Sequence, residues 1–313
     1  MTDTLLPERI KNITQHIFQL PTLPTTGAKL IELIDNPETS ATELSQLIAS
    51  DQVLVAQILK LANSSYYGFP RQINTLPLAI VVLGFDTLKN LGLSISVIDR
   101  FSKLSEELSF DFSLFWEHAI ACGIASKMIA RENKYRVSGE GFVTGLLHDI
   151  GKLVVNLYFR KEFEKIFWLM LESNEPMYKV ELRVLENVNH ADIGAWLAEK
   201  WNLPPKLVEG IRYHHNPAKV CQNPQLPAIV HVADYLVKSL GVGFSGDFST
   251  PQYDVQVLDL LQLEKDEQGN INLGYYLQCL TEELEKAQIF FHVISPKEKV
   301  LTQKLSQNHK GAC

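Results

Sequence analysis

The chain has 313 residues, of which 46% are apolar and 21% are charged, and its formal net charge is −7. These values are typical of a globular protein with a substantial buried core. A surface that binds DNA or RNA needs clustered lysine and arginine side chains, because the phosphates are negatively charged. The sequence contains no such cluster, so we expect no nucleic-acid partner.

The sequence also gives no sign of export or membrane insertion. Residues 1–12 lack the basic start and the continuous apolar core of a signal peptide. The most apolar stretch, 76–98, is interrupted by Asp86, Lys89 and Asn90, which makes it too polar to span a bilayer. The four cysteines form no CxxC pair and indicate no disulfide framework. We therefore expect a cytoplasmic protein without a membrane partner.

Helical periodicity dominates the first third of the chain. Short apolar stripes recur at helical spacing, and prolines fall between them or at their starts. Thr39 or Ser40 can cap one of these helices, with Glu43 in position to complete a capping box. No alternating β-branched run with hairpin turns occurs. Residues 1–105 are therefore predicted to form an N-terminal bundle of short helices.

Longer apolar helices are predicted in a second block, residues 106–245. Their expected ranges are 112–131, 141–158, 163–173, 180–201, 205–213 and 226–240. The glycine-rich segment 241–251 has the composition of a flexible connection. One or two further helices, ending near Phe291, and a polar tail from Thr302 complete a C-terminal extension over 246–313. The predicted fold class is all-α, with two packed helical bundles.

Histidines and aspartates collect in the second block. His148 is followed directly by Asp149 within Gly-Leu-Leu-His-Asp-Ile-Gly-Lys, and Asp234 lies in another apolar helical segment, as does His118. An ionised aspartate in such surroundings needs a counter-charge, because burying it alone would cost several kcal/mol. One divalent cation shared by carboxylates and imidazoles would supply that charge. Nitrogen and oxygen ligands suit Zn, Fe, Mn, Ni or Co, and the sequence does not choose among them.

Each of these residues also has a purely structural interpretation. A lone histidine on an apolar helix face, such as His118, is more often a hydrogen-bonded core residue. Asp149 can pair with Lys152 three positions on, and Asp234 with Lys238 four positions on. The two interpretations stay open at this point.

Two glycines beside the His148–Asp149 pair and the remaining histidines of the chain have weaker signals. Gly145 and Gly151 flank the His148–Asp149 pair and would let another helix or a ligand approach closely. We interpret His231 as a spare ligand or a false positive. The adjacent histidines His214 and His215, just before Asn216, fit either a pair of metal ligands or a polar helix end. Three more histidines have no supporting neighbours and are interpreted as surface residues: His16, His292 and His309.

The Gly-Leu-Leu-His-Asp-Ile-Gly-Lys string resembles the central motif of the HD superfamily of metal-dependent phosphohydrolases. More specifically, the chain from about Phe18 to Leu240 resembles the HD-related output domain, HDOD. The segments that carry this second resemblance are Leu20–Pro24, Ser50–Leu54, Leu59–Gly68 and Ala79–Gly84. The resemblance implies that the second bundle is an HD-like metal-binding domain. Gln52 stands where the family commonly has proline.

The cyclic-dinucleotide phosphodiesterases of the HD-GYP branch resemble this chain in carrying a further histidine and a His-His pair. By that resemblance, the first of two ions would be held by His118, His148, Asp149 and Asp234. The second would be held by Asp149 as a bridge, with His190, His214 and His215. Two features depart from that branch: no Gly-Tyr-Pro follows the His-His pair, and Leu114 stands where an acidic ligand can occur.

Two functions follow from the resemblance. The first is a regulatory output module in bacterial signalling, with one or two metal ions in a structural or ligand-sensing role and a protein partner near residues 63–70. The second is a phosphohydrolase acting on a nucleotide or cyclic dinucleotide. Asp149 and Lys152 would then be the catalytic residues, with Lys152 contacting a phosphate oxygen. Otherwise Lys152 forms a surface ion pair with Asp149 or is solvated. A metal-free apolar scaffold is the third interpretation.

Overall fold

The computed structural model describes residues 21–35, 39–104, 108, 111–135, 138–220 and 224–294. Within these residues the protein is built from helices. The β-type pairing that they contain is one isolated antiparallel bridge between Lys265 and Ile271. The prediction of an all-α fold is confirmed.

The described part of the first region contains five helices in chain order. They are α1 (Thr25–Asp35), α2 (Ala41–Ala49), α3 (Gln52–Ala62), α4 (Leu76–Leu83) and α5 (Phe85–Ser102). Ser40 begins α2 with a capping box in which Glu43 bonds back to the Ser40 backbone. Gly84 adopts a φ of 86° between α4 and α5, a conformation that favours glycine. The chain therefore turns by 115° between these two apolar helices.

The second region surrounds α6. Its helices are α6 (Phe112–Glu132), α7 (Ser138–Leu147), α8 (Ile150–Tyr158), α9 (Arg160–Ser173), α10 (Met177–Val184), α11 (His190–Lys200), α12 (Pro205–Tyr213) and α13 (Gln225–Leu240), with a 3₁₀ turn at Pro217–Lys219. α6 packs closely on both α7 and α13. Its middle turns are consequently enclosed on several sides.

Two of the helices predicted from periodicity are interrupted. The predicted helix 141–158 breaks at His148 and Asp149, which lie in a turn between α7 and α8. The predicted helix 180–201 breaks before Asn189, which caps α11 by accepting from the backbone of Asp192. Periodicity missed both breaks because apolar residues continue at helical spacing on either side of them.

Up to residue 294, where the described residues end, three helices follow the second region, whereas one or two were predicted. They are α14 (Gln256–Leu260), α15 (Leu273–Lys286) and α16 (Gln288–Ile294). α15 packs against α6, and α16 packs against α3, α5 and α6. The predicted polar tail, His16, His309 and the side chain of His292 lie outside the described residues.

The segment 241–251 was predicted to be a flexible connection, but it packs against α6. The backbone N–H of Phe244 donates to the carbonyl of Leu114 at 2.9 Å. Gly243 lies so close to the backbone of His118 that a Cβ atom there would overlap it. Glycine was therefore a sign of close approach here rather than of a free linker.

Buried apolar side chains from both regions and from the C-terminal helices form one continuous core. The predicted domain boundaries at residues 105 and 245 therefore stay a prediction. Of the helices that the structure describes, none is by itself both long and apolar enough to cross a bilayer. Only α4 and α5 taken together meet that test, and they form a sharply bent pair.

Candidate metal centre

The predicted ligands come together inside the second region. His118 lies on α6, His190 is the first residue of α11, and Asp234 lies on α13. The His148–Asp149 turn lies between them. The full set brought together is His118, His148, Asp149, His190, His214, His215 and Asp234. All of these side chains are buried except that of His215, which is partly buried.

Two glycines make this convergence possible, as the sequence predicted. A Cβ atom at Gly151 would overlap the backbone carbonyl of His190. A Cβ atom at Gly145 would lie 2.5 Å from the carbonyl oxygen of Cys122. Both glycines therefore let neighbouring helices approach at backbone distance, and this approach sets the separation of the ligands.

The donor atoms divide into two groups. We define the first group as His118, Cys122, His148 and Asp234, and the second group as Asp149, His190, His214 and His215. Within each group the ligand atoms all lie within 4.8 Å of one another. Two donors bound about 2.1 Å from the same ion can be separated by up to about 4.2 Å. Small side-chain adjustments would therefore let each group close on one ion.

The first group is centred on Asp234. Its Oδ1 atom lies 3.1 Å from His118 Nε2 and 3.7 Å from His148 Nε2. The thiol of Cys122 also lies beside His118, with Sγ 3.4 Å from Nε2. Nitrogen, oxygen and sulfur donors thus face one another across a few ångströms.

The second group is centred on His190. His190 Nε2 lies 3.1 Å from Asp149 Oδ1 and 2.9 Å from His215 Nε2. His214 Nε2 lies 3.9 Å from the same carboxylate oxygen. The other oxygen of Asp149 lies 3.3 Å from His148 Nε2 in the first group. Asp149 therefore lies between the groups, at the position of the bridging ligand that the family resemblance implies.

Three imidazole rings are held in place through their Nδ1 atoms. His148 Nδ1 lies 2.7 Å from the carbonyl of Gly145, and His214 Nδ1 lies 2.7 Å from that of Ile211. His190 Nδ1 lies 2.5 Å from the Glu181 carboxylate. Because these oxygens accept, each Nδ1 carries a proton, and each ring, when it is neutral, presents an Nε2 lone pair to the centre. The Nε2 atoms of His148 and His214 have no hydrogen-bond partner.

The carboxylates stay ionised in spite of their burial. Burial raises the pKa of Asp149, but the positive charges of His148 and Lys152 outweigh it and hold the pKa well below its usual value. Burial likewise raises the pKa of Asp234, and the Lys238 ammonium outweighs it. The centre therefore offers two negative ligands at neutral pH.

The pKa values of the buried histidines shift in opposite directions because their neighbours differ. Burial lowers the pKa of His148, but the Asp149 carboxylate more than offsets this and raises the pKa to about 9. Burial lowers the pKa of His214 well below its usual value, and nearby His148 adds to the effect. Without a cation, His148 would carry a proton that a bound metal ion would displace.

Lys152 is buried rather than solvated. It is 1% exposed, and its Nζ atom donates to Asp149 Oδ2 at 2.7 Å. The alternative of a surface ion pair or plain solvation is therefore wrong, since the pair is enclosed. Lys238 makes the matching contact with Asp234 Oδ2 at 2.8 Å, as the spacing predicted. Each aspartate thus pairs with a lysine through Oδ2 and turns Oδ1 towards histidines, and Asp149 Oδ2 also lies close to His148.

His231 belongs to neither group. Its Nδ1 atom donates to the carbonyl of His214 at 2.7 Å, and its Nε2 atom accepts from the backbone of Asp254 at 2.9 Å. Both ring nitrogens are thus occupied, which fits the false-positive interpretation.

Sequence reasoning missed two residues of the centre. Glu181, on α10, is fully buried and holds His190 through both its ring and its backbone N–H. No motif marks Glu181, because it precedes His190 by nine residues on a separate helix. Cys122 had a usable signal, since it follows His118 by four residues and so shares its helix face.

A cavity of about 280 Å³ opens onto both groups. It reaches His215 of the second group and Asp234 of the first. The residues that line it include Tyr178, Lys238, Asp247 and Asp254. Tyr178 stacks on His215 with ring centroids 4.3 Å apart. Small molecules therefore have a route from solvent to the centre.

The geometry defines an all-helical protein with a buried centre of histidines and aspartates. The HDOD domain model matches residues 20–217, more than half of the chain, so this protein belongs to the HDOD family. Among curated proteins, an uncharacterised protein of Treponema pallidum (strain Nichols) is 27% identical over 206 residues. The match covers 66% of this chain and 39% of that protein, so the chain spans about two fifths of the relative's length.

Two solved structures share the fold. An HDOD domain protein of unknown function from Geobacter sulfurreducens has a TM-score of 0.73 at 24% identity, covering 92% of this chain and 97% of that one. A candidate phosphohydrolase from Shewanella amazonensis SB2B has a TM-score of 0.71 at 21% identity, covering 92% of this chain and 98% of that one. At these identities the likeness establishes the fold alone.

Proposed function

We propose that this protein is a regulatory output module of bacterial signalling whose HD-like half holds divalent metal ions in a structural or ligand-sensing role. One observation carries the metal centre: the rings of His148 and His214 are fixed through Nδ1, and their buried Nε2 atoms have no hydrogen-bond partner. Buried polar atoms are rarely left without a partner in folded proteins. A cation between these atoms and the carboxylates would satisfy all of them.

The donor set fits such an ion. The first ion would be held by His118, His148 and Asp234, the second by His190, His214 and His215, with Asp149 between them. When bound, the ions would supply positive charge and polarise a ligand that enters the cavity. Glu181 would fix the tautomer of His190 so that Nε2 faces the ion.

The regulatory role is favoured over catalysis by the charges near the cavity. Lys238 is the cation among the side chains that line it, and its ammonium already contacts Asp234 and Asp247. Asp254 adds a further carboxylate. A phosphorylated substrate would meet mainly negative side chains there, so its binding would depend on the ions themselves.

Elemental analysis of untagged protein, purified without chelators, tests the metal centre. We expect one or two equivalents of a transition metal per chain, with Fe, Mn, Zn, Ni or Co as the candidates. His148→Ala should reduce that content, while His231→Ala serves as a matched control that leaves it unchanged. Metal well below one equivalent, after reloading with each candidate, would rule the centre out.

The second candidate function is a phosphohydrolase acting on a nucleotide or cyclic dinucleotide. It is favoured by the cavity, which leads to both groups. In that case Asp149 and Lys152 would be the catalytic residues, although Lys152 is not among the side chains that line the cavity. Metal-loaded protein should then release product from cyclic di-GMP, (p)ppGpp or a nucleoside phosphate. Failure to do so with manganese and with iron would remove this candidate.

A protein partner was expected near residues 63–70, and part of that surface is already covered. The rings of Tyr66 and Tyr67 pack against Phe290 of α16. Phe69 remains 38% exposed. We therefore limit the proposed partner surface to the turn at 68–70.

A further inference from the structure

Cys122 lies one helical turn after His118 on α6. Its side chain is fully buried, and its Sγ atom is 3.4 Å from His118 Nε2. Residues four apart on a helix share a face, so this thiol points to the same side of α6 as the imidazole. The Sγ atom also lies within 4.8 Å of the donor atoms of His148 and Asp234.

Two neighbours compete for His118 Nε2. Asp234 Oδ1 lies 3.1 Å away and the thiol of Cys122 lies 3.4 Å away. If Nε2 carries a proton, it donates to the carboxylate and cannot accept from the thiol. If Nε2 presents its lone pair to the thiol, that lone pair also faces an ionised carboxylate at short distance. A cation between nitrogen, oxygen and sulfur satisfies all three atoms.

We propose that Cys122 binds the metal ion of the first group as a thiolate, and that this group therefore selects a divalent cation that accepts sulfur, such as zinc. The inference rests on the proposed function, because it requires the first group to hold an ion. The second group offers only imidazole and carboxylate donors. The two groups thus differ in the metals that they prefer, since thiolate favours zinc over magnesium, calcium or manganese.

The observed spacing matches this coordination. Zinc binds thiolate sulfur at about 2.3 Å and imidazole nitrogen at about 2.0–2.1 Å. The two donors would then be separated by about 3.1 Å at a right angle and by about 3.6 Å at a tetrahedral angle. The Sγ–Nε2 distance of 3.4 Å lies between these values.

The backbone on either side holds Cys122 in this position. α7 reaches the carbonyl of Cys122 at backbone distance, because Gly145 has no side chain to keep the helices apart. On the other face, Gly243 lies against the backbone of His118. The turn of α6 that carries both donors is therefore fixed from two sides, so sulfur stays beside the imidazole.

X-ray absorption at the zinc edge tests the proposal on the unaltered protein. Metal-free protein is loaded with two equivalents of zinc, and we expect a sulfur scatterer at about 2.3 Å. The triple variant Cys221→Ser, Cys279→Ser and Cys313→Ser should keep this scatterer, because Cys122 is then the remaining thiol. Adding Cys122→Ser should remove the sulfur and leave only nitrogen and oxygen neighbours.

Cobalt gives a second measurement with the same variants. Cobalt bound to thiolate produces a charge-transfer band in the near ultraviolet, so the triple variant should show the band. Adding Cys122→Ser should abolish it and weaken cobalt binding to the first group by at least about tenfold, as ligand loss does. Circular dichroism verifies that each variant remains helical.

The outcomes separate this inference from the proposed function. Stoichiometric zinc with nitrogen and oxygen neighbours alone would overturn the role of Cys122 and leave the metal centre standing. The Cys122 thiol would then be a buried group that donates a hydrogen bond to His118. Failure of the unaltered protein to bind zinc, cobalt or any other candidate metal would overturn both. The spectrum of the triple variant decides the matter even if Cys122→Ser proves unstable, because Cys122 is its remaining thiol.

Discussion

The buried serines of α5 and the buried histidines of the metal centre satisfy their polar atoms differently. On α5, in the first region, the buried hydroxyl groups of Ser94 and Ser96 donate to the carbonyls of Asn90 and Gly92 one turn back. In the second region, the buried Nε2 atoms of His148 and His214 find no hydrogen-bond partner. Burial is similar in both cases, so the difference lies in whether the protein itself supplies the partner.

This difference separates structural polar groups from functional ones. A buried serine that bonds its own helix costs little and needs nothing from outside. A buried imidazole held by Nδ1 and facing a carboxylate with Nε2 is incomplete without a further group. We therefore expect perturbations of the metal centre to affect metal content and stability together, and perturbations of the first region to affect stability alone.

The largest effect should come from Asp149→Ala. This change removes a carboxylate that lies beside two histidines and Lys152, which leaves a buried ammonium without its partner. We expect a loss of about 3–5 kcal/mol in the free energy of unfolding, together with a loss of bound metal. Denaturant unfolding and elemental analysis of the same preparations measure both quantities.

Leu61→Ala is the matched control in the first region. Leu61 is fully buried on α3, and its truncation should cost about 2–5 kcal/mol through the cavity that it leaves. Its folded fraction should keep the metal content of the unaltered protein. Equal metal loss in both variants would mean that the two regions do not differ as described.

Metal removal should have the next largest effect. An ion present at about 1,000 times its dissociation constant stabilises the folded state by about 4 kcal/mol. Chelation should lower the melting temperature of the unaltered protein and leave that of Asp149→Ala nearly unchanged. Amide hydrogen exchange should then increase first in α11, which begins with His190, and at the start of α8, which follows Asp149, and later in α2 and α3. Uniform exchange across both regions would contradict a local role for the ion.

The sequence predicted the helices well and named candidate ligands that the structure brings together, because both leave local marks. Apolar residues at helical spacing marked α6 and α13, and the His148–Asp149 string marked the centre. Glu181 could not be predicted, because its contact with His190 depends on how α10 turns back towards α11. The burial of Lys152 was missed for a related reason. A lysine three residues from an aspartate looks the same in sequence whether the pair faces solvent or the core.

Two glycines in equivalent helix positions give a smaller and sharper test. Gly151 and Gly274 are each the second residue of a helix, α8 and α15. Gly151→Ala should cost about 3 kcal/mol, because the new Cβ would overlap the His190 backbone, and it should push α11 and its ligand away from Asp149. A Cβ atom at Gly274 would meet only Asn272 Oδ1, at 4.0 Å. Gly274→Ala should therefore stabilise α15 by up to about 1 kcal/mol.

Metal content distinguishes the two glycine variants. Gly151→Ala should bind less metal in the second group, while Gly274→Ala should bind as much as the unaltered protein. If Gly151→Ala retained full metal content and stability, backbone approach at this point would not control the position of His190.

An effect smaller than that of Gly151→Ala is expected at the contact between the regions, where Lys127 of α6 lies over the rings of Tyr66 and Tyr67. Burial lowers the pKa of Lys127 to about 8, an effect that nearby Glu283 only partly opposes. Between pH 8 and the ordinary lysine pKa of 10.5, the unfolded chain binds a proton that the folded protein does not. Stability therefore rises with pH through this window, and below pH 8 the charged ammonium destabilises the fold.

Lys127→Met isolates the effect of this buried charge on stability. At pH 7 we expect the variant to be more stable than the unaltered protein by about 1–2 kcal/mol, less whatever the cation–π contacts contribute. The advantage should shrink as the pH approaches 10.5, because the unaltered protein then loses the same charge. Both tyrosines have a raised pKa through burial, so they stay neutral across this window and do not mask the effect. Denaturant unfolding at pH 7, 8.5 and 10 follows the difference, and a gap that stays constant with pH would show that Lys127 titrates as it does in water.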